Sequence, residues 1–194
     1  MEICFATNNQ HKLDEIRQAL GTSFQVLSLI DIGCHDELPE TGDTLEANSR
    51  EKAQYVLERY HVTCFADDSG LEVDALGGLP GAFSARYAGP ERNSDKNLQK
   101  LLEAMKRETN RRAQFKTVIT YCSPVLTRQF TGTVSGALLR RRSGAGGFGY
   151  DPIFKPQGQS RSFARMSMEE KNRISHRGKA VAQLLDFLLA QSHD

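Results

Sequence analysis

Two adjacent carboxylates, Asp67 and Asp68, end an apolar run near the middle of the chain, and Ser69 and Gly70 follow at once. The flanking residues alternate as strands do, so we predict a tight turn over residues 67–70 between two strands. Neighbouring carboxylates repel each other unless a cation or a shared proton neutralises them. The pair therefore predicts a site for water and a hard divalent ion such as Mg²⁺. The alternative is an ordinary turn, since Asp, Ser and Gly are common turn formers.

A polar loop, residues 7–12, follows the first apolar run and precedes a predicted helix. It offers the Thr7 hydroxyl, two asparagine side chains, backbone amides at a helix start and the Lys12 ammonium, all of which suit phosphate oxygens. The spacing of a Walker loop is absent, so a phosphate site here would be of another kind. The alternative is that Asn8 or Asn9 only caps the helix and that Lys12 is a solvated charge.

Glu40 lies in a third polar cluster, just after a proline and ahead of a predicted helix over residues 45–60. Thr44 is the expected N-cap of that helix. Because Glu40 falls outside the helix, its carboxylate is free to reach a metal. Taken alone, it would be interpreted as a solvated loop acid.

Glycines crowd into residues 143–152, where Gly144, Gly146 and Gly149 match the G-x-G-x-x-G dinucleotide pattern. We reject that match because Pro152 follows the last glycine by three residues, whereas the Rossmann pattern must open a helix in the first βα unit. What remains is a flexible backbone that presents the ring of Phe148. An aromatic ring beside open backbone suits stacking on a planar base.

The last polar cluster contains two predicted helix starts. Ser167 and Glu170 have the spacing of a capping box, and Ser175 can cap a terminal helix. His176 and Arg177 then fall in the first helical turn, where cations oppose the helix dipole. A charge in an unfavourable place often has a functional cause. The alternative is that both side chains are solvated.

Together these segments resemble the inosine triphosphate pyrophosphatase family, also called the non-canonical purine NTP pyrophosphatases. The motifs follow the family's order and approximate spacing along the whole chain: Thr7-Asn8-Asn9 through Lys12, Glu40-Thr41-Gly42, Asp67-Asp68-Ser69-Gly70, Phe148-Gly149-Tyr150-Asp151 and Ser175-His176-Arg177. Many members of the family have glycine where this chain has Asn8.

The resemblance implies Mg²⁺-dependent hydrolysis of ITP, dITP and XTP to the nucleoside monophosphate and pyrophosphate, which removes deaminated purines from the nucleotide pool. It implies that Glu40 and Asp68 bind Mg²⁺, that Asp68 accepts a proton from the attacking water, and that Asp67 supports them. One or two metal ions are compatible with the sequence. The implied substrate contacts are Thr7, Asn8, Asn9, Gln10, His11, Lys12, Ser69, Phe148, Gly149, Tyr150, Asp151, Lys171, His176 and Arg177.

Two competing hypotheses start from the same residues. The first is a pyrophosphatase for a canonical or modified pyrimidine triphosphate, which a panel of nucleotides would distinguish. The second is a nucleotide sensor that binds purine triphosphates without cleaving them. The acids at 40, 67 and 68 argue against a sensor, because a pure binder needs no positioned water.

Composition narrows the possible partners. The formal net charge is +1, so no overall field favours nucleic acid or an anionic membrane, and the dense basic run at residues 140–142 is expected to be a solvated hairpin end. No apolar stretch approaches the length of a membrane span, and no signal-peptide pattern is present. The four cysteines lack metal-ligand spacing and are predicted to be reduced thiols of a cytoplasmic protein. The family resemblance implies that the protein forms a homodimer.

Strands alternate with helices, and a hairpin is predicted over residues 113–139, which indicates an α/β fold with a mixed sheet. A helix over residues 94–107 and a short strand near Ile153 are also expected. No linker divides the chain, so residues 1–194 are predicted to form a single domain. The resemblance refines the fold to an elongated two-lobed structure. Helices would flank a long twisted sheet, and the active site would lie in the cleft between the lobes.

Overall fold

The computed structural model describes residues 2–21 and 24–191. Its strands are β1 (Glu2–Phe5), β2 (Gln25–Leu27), β3 (Cys64–Val73), β4 (Arg112–Ser123), β5 (Leu126–Leu138) and β6 (Phe154–Pro156). Its α-helices are α1 (Gln10–Leu20), α2 (Leu45–Tyr60), α3 (Ser94–Ala104), α4 (Met168–Ile174) and α5 (His176–Gln191). The strands form one sheet in the order β2-β1-β3-β4-β5-β6.

The sheet is mixed, as predicted. Strand β1 is parallel to both β2 and β3, whereas β3, β4, β5 and β6 are antiparallel to their neighbours. The predicted hairpin is confirmed as β4 and β5. The basic run at residues 140–142 begins two residues after the end of β5, at the open end of that hairpin. Arg142 pairs with Asp95 of α3.

The helix starts agree with the capping signals. Asn9 accepts a hydrogen bond from the Lys12 amide, and Thr44 accepts one from the Ala47 amide. The capping box of Ser167 and Glu170 is present at the start of α4. Each such cap contributes about 1 kcal/mol. Helix α3 starts as predicted but ends at Ala104, three residues before the predicted end.

The predicted turn at residues 67–70 is wrong. Strand β3 runs through these residues without a break and pairs with β4 from Cys64↔Cys122 to Val73↔Ala113. Ten consecutive pairs with a long neighbouring strand outweigh the local turn preferences of Asp, Ser and Gly. Gly70 is explained by crowding, because a Cβ atom there would lie 2.3 Å from the carbonyl oxygen of Gly81.

Two hydrophobic clusters occupy opposite halves of the long strands. Phe65, Ile119 and Phe130 pack with α1 and α5 in one half, and Leu71, Phe115 and their neighbours pack with α3 and β6 in the other. A third cluster lies between α2 and β1, β3 and β4 and contains all four cysteines, which are free thiols. The structure is therefore two-lobed, and the polar residues of β3 lie between the lobes.

Candidate functional site

The two adjacent acids of β3 point to opposite faces of the strand and have different partners. Asp67 contacts Lys12 of α1 and Arg177 of α5, whereas Asp68 contacts Asn48 and Lys52 of α2. Side chains of consecutive strand residues alternate between the two faces of a sheet. The carboxylates are therefore not a mutually repelling pair at a turn, and each lies beside different cations.

Asp67 is sealed inside the protein. Its side chain is 0% exposed, and its oxygens accept hydrogen bonds from the Lys12 ammonium at 2.9 Å, the Arg177 guanidinium at 3.2 Å and the Ser69 hydroxyl at 3.0 Å. Burial alone would raise the pKa of Asp67, but the charges of Lys12 and Arg177 hold that pKa far below its ordinary value. Asp67 is thus a permanent anion that fixes two cations.

Asp68 faces the cleft and is held more loosely. Its oxygens accept hydrogen bonds from the Asn48 amide group and from the backbone amide of Ser69, each at 3.0 Å, and the Lys52 ammonium lies 3.7 Å away. Burial raises the pKa of Asp68 above its ordinary value, although Lys52 and Lys12 act against that change. A carboxylate with a raised pKa is a stronger base than an ordinary aspartate, which suits proton transfer.

Glu40 and Asp68 lie close together, since the ammonium group of Lys52 contacts both carboxylates. Lys52 Nζ is 2.6 Å from a Glu40 oxygen, and Arg92 reaches the other oxygen at 3.1 Å. Burial opposes the effect of Lys52 on Glu40, but the lysine prevails and lowers the pKa of Glu40. The segment after Glu40 is anchored on α2, since Glu51 accepts hydrogen bonds from the amide and hydroxyl of Thr41.

Both asparagines of the first polar loop form hydrogen bonds within the protein. Asn9 caps α1, which agrees with the capping alternative. The side-chain NH2 group of Asn8 donates a hydrogen bond to the backbone carbonyl of Asp36 at 3.2 Å, and the side-chain oxygen of Asn8 accepts one from the backbone amide of Leu38 at 3.3 Å. Asn8 therefore joins the loop to the segment that precedes Glu40. Lys12 is not a solvated charge, because its ammonium is bonded to Asp67.

Rings and cations line the other end of the cleft. Phe148 stacks on His11 with the ring centroids 5.5 Å apart, and the Lys171 ammonium lies 4.7 Å from the Phe148 centroid. Tyr150 is buried, and its hydroxyl donates to the Ser84 carbonyl at 2.9 Å. Phe148 is therefore the ring of this motif with the greater exposed area.

A buried charge network lies beneath the rings. Lys171 donates to Glu15 at 2.6 Å and to Asp151 at 2.8 Å, and Glu15 also pairs with Arg177. Burial opposes ionisation of Glu15, but Arg177 and Lys171 lower its pKa. Glu15 and Asp67 explain how Arg177 tolerates a position at a helix N-terminus, where the dipole opposes a cation.

His176 is also buried in the first turn of α5. Ser175 caps that helix through a 3.0 Å bond from the Gly178 amide, as predicted, and the His176 ring stacks on Phe115 with centroids 4.6 Å apart. Burial, followed by the charges of Arg177 and Lys171, lowers the pKa of His176 well below 6.5, so the ring is neutral at pH 7. Its Nδ1 atom has no hydrogen-bond partner within residues 2–21 and 24–191.

These residues line one cleft of about 480 Å³. All sixteen sequence-predicted site residues are on its surface: Thr7, Asn8, Asn9, Gln10, His11, Lys12, Glu40, Asp68, Ser69, Phe148, Gly149, Tyr150, Asp151, Lys171, His176 and Arg177. Sequence analysis missed Leu38, Lys52, Gly70, Ser84, Ala85, Arg92, Ser94, Asn97 and Phe115 as lining residues. It also missed Asn48 and Glu15, which hold the lining residues in place.

A signal for Lys52 and Asn48 was present in α2. The buried stripe of that helix is Leu45, Asn48, Ser49, Lys52, Ala53 and Val56, at the regular spacing of a core-facing side. Three polar residues therefore occupy positions that ordinarily hold apolar ones. Polar residues within an apolar stripe indicate polar partners across the interface, because a buried polar group needs a hydrogen-bond partner. Glu15 gave a weaker signal, since it lies beside the apolar residues Leu13 and Ile16 of α1.

The fold and the cleft define a class of protein: a two-lobed α/β protein with carboxylates and cations at one end of its cleft and rings at the other. That combination suits a flat heterocycle joined to a polyanion. The model of the Ham1 family matches residues 3–187, and the chain belongs to this family.

Relatives and solved structures agree with this assignment. The dITP/XTP pyrophosphatase of Flavobacterium johnsoniae is 51% identical over 190 residues, which cover 98% of this chain and 99% of that protein. The structure of the Staphylococcus aureus Ham1 protein aligns with a TM-score of 0.89 at 40% identity, covering 98% of this chain and all of that one (100%). A nucleoside-triphosphatase / dITP/XTP pyrophosphatase from Mycobacterium abscessus aligns with a TM-score of 0.77 at 38% identity, covering 95% and 99%.

Proposed function

We propose that this protein hydrolyses the non-canonical purine triphosphates ITP, dITP and XTP in a Mg²⁺-dependent reaction that yields the nucleoside monophosphate and pyrophosphate. The chain is an enzyme, a nucleoside triphosphate pyrophosphatase, by its membership of a family of such hydrolases. The observation that most supports the proposed chemistry is the position of Asp68. It combines a raised pKa with two orienting hydrogen bonds and a place beside Glu40 in the cleft.

The donor set fits Mg²⁺. This ion is bound in many phosphate-processing sites through one or two carboxylates, with water and substrate oxygens completing the octahedron. Glu40 and Asp68 supply two carboxylates, and the Lys52 ammonium lies within ion-pair distance of both. Among residues 2–21 and 24–191 there is no cluster of three or more such ligands, so a cage made of protein alone is not formed. Bound Mg²⁺ would neutralise phosphate charge and acidify water.

Asp68 takes the proton of the attacking water in this proposal. Asn48 and the Ser69 amide fix the orientation of the carboxylate, because each donates to a different oxygen. The fixed orientation leaves Asp68 with lone pairs toward the cleft, where it can accept a proton. General-base catalysis of this kind contributes roughly 10²- to 10⁴-fold to the rate.

The phosphates would be held by positive charge and by the start of α1. Lys12 and Lys52 line the cleft, and the first amides of a helix are good donors to phosphate oxygens. Phosphoryl transfer is catalysed mainly by positioning and charge neutralisation. Lys12 keeps its position because Asp67 binds it on the buried side.

The base would lie against Phe148, near Arg177 and His176. Inosine and xanthosine have a carbonyl at position six, which accepts hydrogen bonds from such donors, whereas adenosine has an amino group. An amino group there would leave buried donors unpaired, and sites that require hydrogen bonds can reject the wrong ligand by roughly 10⁴-fold. Guanine shares the carbonyl, so its exclusion needs a contact near its two-amino group.

The assembly and location of the enzyme are part of the proposal. We expect a homodimer in the cytoplasm that does not bind nucleic acid or a membrane, and light scattering of the purified protein would test the dimer. Among the described residues, none of the helices has the length and apolar character that crossing a bilayer requires.

Pyrophosphate release from ITP, XTP, ATP, GTP and dTTP, each with Mg²⁺ and with EDTA, tests the proposal. Mg²⁺-dependent preference for ITP and XTP is the expected result. Equal activity on ATP would leave the pyrophosphatase chemistry in place and remove the role in purine clearance. A preference for dTTP would favour the pyrimidine alternative, and tight binding without release would favour the sensor.

A further inference from the structure

Arg92 is a cation of the cleft that the family motifs do not include. It lies in the loop between the 3₁₀ turn Gly81–Arg86 and α3, one residue before Asn93, which caps that helix. Its guanidinium reaches Glu40 at 3.1 Å, and its side chain is 52% exposed. Arg92 is thus anchored outside the phosphate loop, on a separate segment of the cleft wall.

Glu40 does not depend on Arg92 for its neutralisation. Lys52 already pairs with one Glu40 oxygen at 2.6 Å and is itself nearly buried, whereas Arg92 takes the other oxygen from the solvent side. A half-exposed ion pair contributes little to stability. Arg92 can therefore exchange Glu40 for a stronger anion at little cost, and a phosphate binds an arginine through two parallel hydrogen bonds.

The contacts within the cleft indicate in which direction a bound triphosphate would extend. Phe148 and Lys171 mark the end where the base would lie, Asp68 marks the reacting phosphate, and Lys52 links Asp68 to Glu40. Arg92 follows Glu40 in this order. A triphosphate that has its base on Phe148 and its first phosphate at Asp68 would extend its last phosphate toward Arg92.

The backbone of Arg92 indicates a role other than stability. Its φ angle is +51°, in the left-handed region that favours glycine. A side chain other than that of glycine is strained in this region. Glycine would remove the strain, so the arginine side chain at this position is explained better by binding than by folding.

We propose that Arg92 binds the terminal phosphate of the substrate and so makes the enzyme prefer nucleoside triphosphates to diphosphates. This inference rests on the proposed function, because it assigns the last phosphate of the same substrate. Arg92 releases Glu40 when the phosphate arrives, which also frees a carboxylate oxygen on the metal-binding residue.

The test uses Arg92→Gly, which removes both the guanidinium and the strain, together with Arg92→Lys. Inorganic pyrophosphate and inosine monophosphate serve as competitive inhibitors of ITP hydrolysis, and urea unfolding reports stability. In Arg92→Gly we expect the inhibition constant of pyrophosphate to rise about tenfold or more, since hydrogen bonds to charged groups have this strength. The constant for inosine monophosphate and the unfolding midpoint should be nearly unchanged, and Arg92→Lys should be intermediate.

The matched control is Arg112→Ala, which removes another exposed arginine paired with a carboxylate, Asp74, outside the cleft. It should leave both inhibition constants as in the unmodified enzyme. An unchanged constant for pyrophosphate in Arg92→Gly, or equal rises for both inhibitors, would overturn the assignment. If the unmodified protein does not cleave ITP, the proposed function fails, but calorimetric titration with pyrophosphate still tests Arg92.

Discussion

Asp67 and Asp68 are neighbours in sequence and opposites in environment. Asp67 is enclosed by Lys12 and Arg177 and stays ionised, whereas Asp68 lines the cleft with a raised pKa and a more distant lysine. The alternation of strand side chains separates them onto two faces, so one backbone segment carries both a structural anion and a chemically available base. The comparison shows that two buried carboxylates can differ in pKa direction according to how closely cations approach them.

Asp68→Asn should break the reactive half of this comparison. We expect turnover to fall by about 10³-fold or more, because an amide cannot accept the proton of water in the way that a carboxylate does. Pyrophosphate release from ITP measures the loss, and nucleotide binding should largely survive. Near-normal turnover in a folded Asp68→Asn protein would show that another group is the proton acceptor.

Asp67→Asn should break the structural half. Removing one partner of a buried ion pair leaves uncompensated charge, which costs roughly 3–5 kcal/mol. Urea unfolding should report a loss of this order. Asp74→Asn is the control, since it disrupts an exposed pair with Arg112 and should have little effect. Equal midpoints for the Asp67 variant and the unmodified protein would contradict the account of Asp67 as a structural anion.

The pH dependence of stability sharpens the comparison at His176. Burial lowers the pKa of His176 in the folded state, so below about pH 6.5 the unfolded chain takes up a proton that the folded protein does not. The stability due to neutral His176 is therefore complete above that pH and is lost as the pH falls, by up to about 1.4 kcal/mol per pH unit.

The measurement is the difference between the unmodified protein and His176→Gln across pH 7 to 5, because Asp68 and Asp151, whose pKa values are raised by burial, contribute the opposite slope in both proteins. The exposed His35→Gln variant is the control. Parallel stability curves for the unmodified protein and His176→Gln would disprove the assignment.

Phe148→Ala tests the ring end of the cleft. Loss of a stacking ring costs about 1–3 kcal/mol per base. The preference for ITP over ATP should decline by roughly tenfold, because a base that is no longer stacked is held less firmly against the hydrogen-bond donors that read position six. Inhibition by inorganic triphosphate should change less, since Lys12 and Lys52 remain. Phe83→Ala, which removes an exposed ring outside the cleft, should match the unmodified protein. An equal loss in triphosphate affinity would mean that Phe148 shapes the whole cleft.

Local patterns predicted the elements that local forces control. The caps of α1, α2, α4 and α5 were read from single residues, because a hydroxyl or amide side chain satisfies nearby backbone amides whatever the rest of the chain does. The hairpin of β4 and β5 likewise followed from alternation along two long runs. The family motifs then identified sixteen residues that the structure places around one cleft.

The prediction of a turn at residues 67–70 was wrong because it used local preferences alone. The turn preferences of Asp, Ser and Gly stabilise a turn less than ten residue pairs with β4 stabilise a strand. The local sequence does not indicate that β4 will pair with this segment. Lys52, Asn48 and Glu15 were missed because a polar side chain on a helix is ordinarily solvated, and only the packing of α2 and α1 against β3 and α5 encloses them.

By itself, the sequence determined the α/β class, the helix starts, the hairpin and, through its motifs, the family and the set of residues around the cleft. Only the tertiary structure decided which acid is sealed and which is available. That difference arises because ionisation depends on burial and on charges that approach from α1, α2 and α5. Those helices are brought to the two faces of β3 by folding, over sequence separations of 20 to 110 residues.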